Sequence, residues 1–272
     1  MTAAPWTRAG HEALGRPDLQ QVREIERLAA RAWPALERQS LGGWVLRAAG
    51  GVSRRTNSAW PRSASTLTVG QLLRATTAWY GARGLPPIIA LSPASEPRNL
   101  ADRLGAGEAG WGVDGETLVL AGPAAGRAHE EVTVSPVPDE DWWSVAGQVT
   151  PAHFDGPRRP VAQAILQAIS RQCGYAVARD GGGPVAVGRA VVDGSSVGVF
   201  SMGTVPDRRG EGHGRKVLES LCAWGIQAGA DTAWLQVEVG NAPARRLYDG
   251  LEPVFTYAYA TRLGQLPPTA PS

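Results

Sequence analysis

Three glycines stand at alternate positions, Gly210, Gly212 and Gly214, in the stretch Val205-Pro-Asp-Arg-Arg-Gly-Glu-Gly-His-Gly-Arg-Lys-Val217. Before them Ser196–Val205 reads as a strand. After them Val217, Leu221 and Trp224 recur at helical spacing. A glycine turn that opens a helix exposes main-chain N–H groups at the positive end of the helix dipole, with no Cβ to obstruct a ligand. That chemistry suits a diphosphate. A Walker A loop is excluded, because Gly214 is followed by Arg215-Lys216-Val217 and no hydroxyl is in place for magnesium. A dinucleotide fingerprint is excluded too, since neither Gly210 nor Gly212 begins a G-x-G-x-x-G run.

A second strand and helix follow. Thr232–Val239 alternates Leu235, Val237 and Val239 on one face, then runs into Gly240-Asn241-Ala-Pro-Ala-Arg-Arg-Leu-Tyr248. Asn241 suits an N-cap, and Pro243 is tolerated in the first helical turn. The rest of the chain must position these two pieces. Asp18 caps an expected helix through Leu19, Val22, Ile25 and Leu28 that stops before Pro34. Strands are expected at Gly43–Ala49, Thr56–Trp60, Pro87–Leu91 and Glu116–Ala121, with helices at Thr68–Arg83 and Arg98–Leu104. In the second half the strands fall at Glu131–Val134, Tyr175–Arg179, Pro184–Val192, Ser196–Val205 and Val254–Ala260, with helices near Glu140–Val149 and Pro160–Ser170. The implied class is α/β with a mixed α+β sheet.

The pair Arg209-Gly-Glu-Gly-His-Gly214 (R-x-x-G-x-G) and Asn241 to Tyr248 (N-x-x-A-x-x-L-Y), in this order, resembles the GNAT superfamily of N-acetyltransferases. The resemblance implies a GNAT fold in the C-terminal half. It also implies acetyl-CoA as cosubstrate, no metal, and direct acetyl transfer to an amine acceptor. The first half resembles the degenerate repeat of tandem members, through Gly43-Trp-Val-Leu-Arg47 and Arg55-Thr-Asn-Ser-Ala-Trp-Pro61, but has no G-x-G where the glycine loop would sit. Residues 1–121 are therefore expected to form a degenerate GNAT-like domain without a coenzyme site. Residues 122–129 would be a linker, 130–264 the catalytic domain, and 265–272 a disordered tail.

By that resemblance the coenzyme is held by Gly203, Thr204, Val205, Arg209, Gly210, Glu211, Gly212, His213, Gly214, Arg215, Asn241 and Tyr248. Gly203 either marks a bulge that frees an N–H for the thioester oxygen or eases packing. Tyr248 stands where the family places its general acid; otherwise it is a helix-end tyrosine in the core. For a general base the candidates are Glu238, or His153 and Asp155 in a loop between helices; each has the alternative of a plain surface role. Relatives continue from Leu-Tyr to a Gly-Phe pair, which Tyr248-Asp-Gly-Leu-Glu-Pro-Val254 lacks.

With 27 basic and 25 acidic residues the net charge is only +2 and no basic block occurs, so nucleic acid is not an expected partner. Cys173 and Cys222 offer neither a disulfide framework nor metal-ligand spacing. No apolar run approaches membrane-spanning length, and the expected location is the cytoplasm, with a homodimer left open. A non-catalytic acyl-CoA-binding module remains the alternative to an enzyme.

Overall fold

The computed structural model describes residues 17–262. The chain divides into two compact units, one of residues up to Leu118 and from Val254 onward, the other Val119–Pro253. Residues 1–16 of the expected first domain and the expected tail at 265–272 lie outside the described residues.

In the first unit, α1 (Leu19–Ala32) starts where the Asp18 carboxylate accepts from Gln20 N at 2.8 Å. It buries Val22, Ile25 and Leu28 on one stripe. β1 (Glu37–Leu41) and β2 (Trp44–Ala48) form an antiparallel hairpin, and β3 (Trp60–Pro61) pairs with β2 on its other side. β1 is a strand that the sequence conceals: Glu37-Arg-Gln-Ser-Leu41 has no apolar alternation because it is mostly exposed. The strand expected over Thr56–Trp60 is largely replaced by turns. There Asn57 Oδ1 accepts from Ala49 N and Gly51 N, at 2.8 and 3.0 Å, which draws the backbone out of extension.

Helix α2 (Val69–Gly81) begins with a capping box between Thr68 and Gln71 and buries Leu72, Leu73, Trp79 and Tyr80. β4 (Ile88–Leu91), α3 (Leu100–Gly105) and β5 (Trp111–Pro123) follow. Strand β11 (Glu252–Arg262) pairs antiparallel with β4, Ala258 opposite Leu91, and this pairing places Val254–Arg262 in the first unit rather than with the rest of the expected 130–264 domain. Trp44, Tyr80, Ile89, Leu100 and Trp111 make the core.

The second unit is a sheet in the order β10 (Thr232–Glu238), β9 (Ser196–Thr204), β8 (Gly183–Asp193), β7 (Gln172–Asp180), β6 (Val132–Ser135). Only β9 and β10 run parallel in this set; the other neighbours are antiparallel. Helix α4 (Glu140–Val149) covers one face, with α5 (Pro151–Phe154) and α6 (Arg159–Gln167) following it. Helix α7 (His213–Gln227) covers the other, and α8 (Ala242–Leu247) follows β10.

Small residues let both helices approach. A Cβ on Gly188 would lie 2.8 Å from Val217 and Leu221 of α7, and one on Gly203 would lie 2.3 Å from Val149 of α4. Trp142, fully buried, fixes α4: its Nε1 donates to Gly188 O at 3.0 Å, and its ring meets Trp143, Phe154 and Tyr175 edge-on at 5.2–5.4 Å. Each such pair adds about 0.5–1.5 kcal/mol beyond area burial.

Residues 124–129, expected as a linker, have no regular structure but are packed along α7. A Cβ on Gly126 would meet Glu219 O at 2.2 Å, and His129 Nε2 lies 2.6 Å from Glu219. Small residues there serve close approach rather than flexibility. Among the described residues no helix is long and apolar enough to cross a membrane.

Candidate functional site

The site is built where β9 parts from β10. The two strands pair from Thr232 opposite Ser196 to Leu235 opposite Val199, and there the parallel ladder ends. Phe200–Thr204 therefore has no strand partner on its β10 side. On its other side β9 is bulged. Arg189 faces Phe200 and Val187 faces Gly203, so Gly188 alone opposes Ser201 and Met202. Ser201 takes up the extra residue with φ 52°. For a residue with a Cβ that left-handed conformation costs roughly 1–2 kcal/mol.

The bulge thus lies at Ser201–Met202, and Gly203 is in register beyond it, close against Val149. Close packing, the other reading of Gly203, accounts for its lack of a Cβ.

At the end of β9, a 3-10 turn at Pro206–Arg208 leads into the glycine segment. Gly210 and Gly212 have φ of 85° and 86°, the left-handed region that glycine enters without strain. A Cβ at either would meet nothing within 4 Å, so the space beside them is open. The first i→i−4 bond of α7 runs from Lys216 N to Gly212 O at 3.1 Å. The N–H groups of His213, Gly214 and Arg215 precede it and have no intrahelical acceptor, at the positive end of a 15-residue helix.

Side chains around this turn are largely engaged with one another. Arg209 Nε donates to Thr204 O at 3.2 Å, which ties the loop to the end of β9. Arg208 pairs with Asp180 at 3.0 Å. Arg215 pairs with Asp249 at 3.1 Å, both well exposed, a contact worth at most about 1 kcal/mol. His213 Nε2 lies 3.3 Å from Glu211, while its buried Nδ1 has no partner.

Tyr248 closes the arrangement from α8. Asn241 Oδ1 accepts from Ala244 N at 3.1 Å and starts the helix as a cap, so its side chain is committed to structure. Tyr248 ends the helix, is buried, and burial pushes its phenol up to about 12, which keeps it protonated at neutral pH. The end of α8 adjoins the loop: a Cβ on Gly214 would lie 3.4 Å from Thr204 Oγ1 and 3.6 Å from Leu247 Cδ2. Leu251 N donates to Tyr248 O at 3.1 Å, which makes the tight turn that stands in place of a longer connection.

The base candidates gather less. Glu238 is exposed at the end of β10, and Asp155 is exposed after α5. His153 is half-buried, its ring 6.0 Å from that of Phe154. What sequence reasoning missed is the position of the bulge, at Ser201–Met202 rather than Gly203, and the Arg215–Asp249 pair. The first depends on a register count between strands, and the second on two segments 34 residues apart, so neither leaves a local pattern.

Comparison with known proteins agrees on one family. Residues 20–260 match the family model described as "Probable histone acetyltransferase Rv0428c C-terminal". The chain is 32% identical over 221 residues to the probable histone acetyltransferase Rv0428c of Mycobacterium tuberculosis, covering 79% of this chain but only 66% of that protein. It is 28% identical over 258 residues to the N-acetyltransferase YobR of Bacillus subtilis, itself uncharacterised, with 89% of this chain and 98% of that one covered. Among solved structures, a GCN5-related N-acetyltransferase from Kribbella flavida superposes with a TM-score of 0.64 at 20% identity, over 89% and 95% of the two chains.

Proposed function

Since the chain belongs to the GNAT superfamily of N-acetyltransferases, tandem members included, and is an acetyl-CoA-dependent acetyltransferase, we propose that its second unit transfers acetyl directly to a primary amine of a small molecule or a protein. The observation that carries this reading is the convergence at the parting of β9 and β10. The open glycine turn, the unpaired edge of β9 and the protonated Tyr248 at the end of α8 all belong to that one region.

The residues present fit the cosubstrate. Open space beside Gly210 and Gly212, together with the outward N–H groups of His213, Gly214 and Arg215, suits a pyrophosphate. Arg209, tied to Thr204 O through Nε, keeps its terminal nitrogens for charge-assisted hydrogen bonds. Acetyl-CoA supplies an activated thioester. The bulge at Ser201–Met202 re-aims the main chain of β9, whose edge offers N–H donors to an oxygen that gains charge; one such donor is worth roughly 2.7–4 kcal/mol of barrier. Tyr248 holds the proton that a departing thiolate takes up. Glu238, exposed at the rim of β10, removes the ammonium proton of the acceptor directly or through water.

The acceptor stays at the level of class. The mycobacterial relative is named for histones, which favours lysine side chains among the protein acceptors to be tried, but this chain matches only part of it. The test is thiol release from acetyl-CoA across a panel of free amines, polyamines and lysine-rich peptides. Amine-dependent release with acetylated product is expected. Tight acetyl-CoA binding with no turnover on any amine would make the chain a binding module instead.

A further inference from the structure

Among the described residues only two besides glycine hold a positive φ, Ala109 at 54° and Ser201 at 52°. Ala109 is exposed in a 3-10 turn. Ser201 sits inside β9, at the bulge and within the stretch that has no strand on its β10 side. The chain has 34 glycines and none of them stands here, although glycine would take this conformation without strain. Strain of this kind is held where the side chain has a task.

The rest of that stretch is already committed. The Phe200 ring meets Trp234 edge-on at 5.3 Å, and the Arg189 guanidinium lies 4.6 Å from its centroid. Met202 Sδ covers Gly188, 2.5 Å from where a Cβ would stand. Gly203 lies against Val149, while Thr204 holds Arg209 through its carbonyl and has its Oγ1 beside Gly214. Ser201 differs. It is half-buried, and its hydroxyl makes no hydrogen bond among the described residues.

The main-chain N–H groups of the β9 edge serve the thioester oxygen, which leaves the hydroxyl for the other reactant. Ser196–Val205 carries no acidic residue, so Ser201 and Thr204 supply the hydroxyl groups of the free stretch, and Thr204 faces the glycine turn. An amine brings N–H groups to donate, and a hydroxyl oxygen accepts them. Resting on the amine transfer assigned above to this site, we propose that Ser201 positions the acceptor: its Oγ accepts a hydrogen bond from the incoming amine and holds the nitrogen beside the acetyl group.

The experiment compares the full-length wild type with Ser201→Ala, which removes the hydroxyl and keeps the strain, and Ser201→Gly, which removes both. The acceptors are spermidine, benzylamine and tetralysine, one from each class of amine. In both variants the acceptor KM should rise roughly ten- to a hundred-fold, as for a lost hydrogen bond to a charged group, with kcat nearly unchanged. Calorimetric affinity for acetyl-CoA should stay at the wild-type value. The unfolding midpoint of Ser201→Gly should not fall, because relieved strain offsets the entropy of glycine. An unchanged acceptor KM beside normal wild-type turnover would overturn this proposal alone. So would a fall in kcat at constant KM, which puts the hydroxyl on the thioester, or a parallel loss of acetyl-CoA affinity, which makes its role structural. A wild type that binds acetyl-CoA and acetylates none of the amines would overturn the amine-transfer reading and this proposal together.

Discussion

Adding one methyl group at Gly212 separates the binding role of the glycine turn from its structural role. In Gly212→Ala the new Cβ meets no protein atom within 4 Å, so no clash arises inside the fold. The cost is conformational: alanine must hold φ near 86°, worth roughly 1–2 kcal/mol. At about 2–4 °C per kcal/mol for a chain of this size, the midpoint should fall by roughly 2–8 °C. The same methyl occupies space where a pyrophosphate would approach the α7 N-terminus. Acetyl-CoA affinity should therefore drop at least about ten-fold, which is ~1.4 kcal/mol of binding.

Gly225→Ala supplies the contrast. Its Cβ would sit 2.8–3.0 Å from the Val197 side chain, so overpacking should cost about 1–3 kcal/mol of stability with affinity unchanged. Calorimetric titration of both folded variants reads the difference. Wild-type affinity in Gly212→Ala, or an equal loss in Gly225→Ala, would refute the assignment of the turn.

Tyr248→Phe should lower turnover by roughly ten- to a thousand-fold and leave acetyl-CoA affinity nearly unchanged; a parallel loss of affinity would mark the residue as structural. The same phenol has a pH signature. Its folded pKa is raised by burial to about 12, above the unfolded value, so the stability it contributes is full below about pH 10 and is lost as pH rises from there towards 12. Unfolding midpoints of Tyr248→Phe should accordingly decline less steeply than wild type above pH 10. Trp142→Ala removes a fully buried ring, its bond to Gly188 O and three edge-on contacts, and should cost about 3–5 kcal/mol, read by denaturant unfolding.

The parts of this molecule that could be read from sequence are those written in consecutive residues. Gly210 and Gly212 announce a turn because φ > 0 is a local demand, and Asn241 announces a cap because its side chain reaches only three residues on. The parts that could not be read depend on pairing between distant segments. Ser201 looks like any strand serine until Gly188 is seen to oppose two residues. β1 shows no alternation because little of it is buried, and Thr56–Asn57 looks extended until the Asn57 amide is seen to bind the backbone of Ala49 and Gly51. Val254–Arg262 follows the segments of the second unit in sequence, but its partner is β4.

The central claim is that acetyl-CoA is held at the α7 turn of the second unit and nowhere in the first, whose described residues have no glycine turn between a strand and a helix. The most direct measurement is a calorimetric titration of the intact chain with acetyl-CoA. One site per chain, lost in Gly212→Ala, is the predicted result; no site, or a second site that survives in that variant, would contradict it.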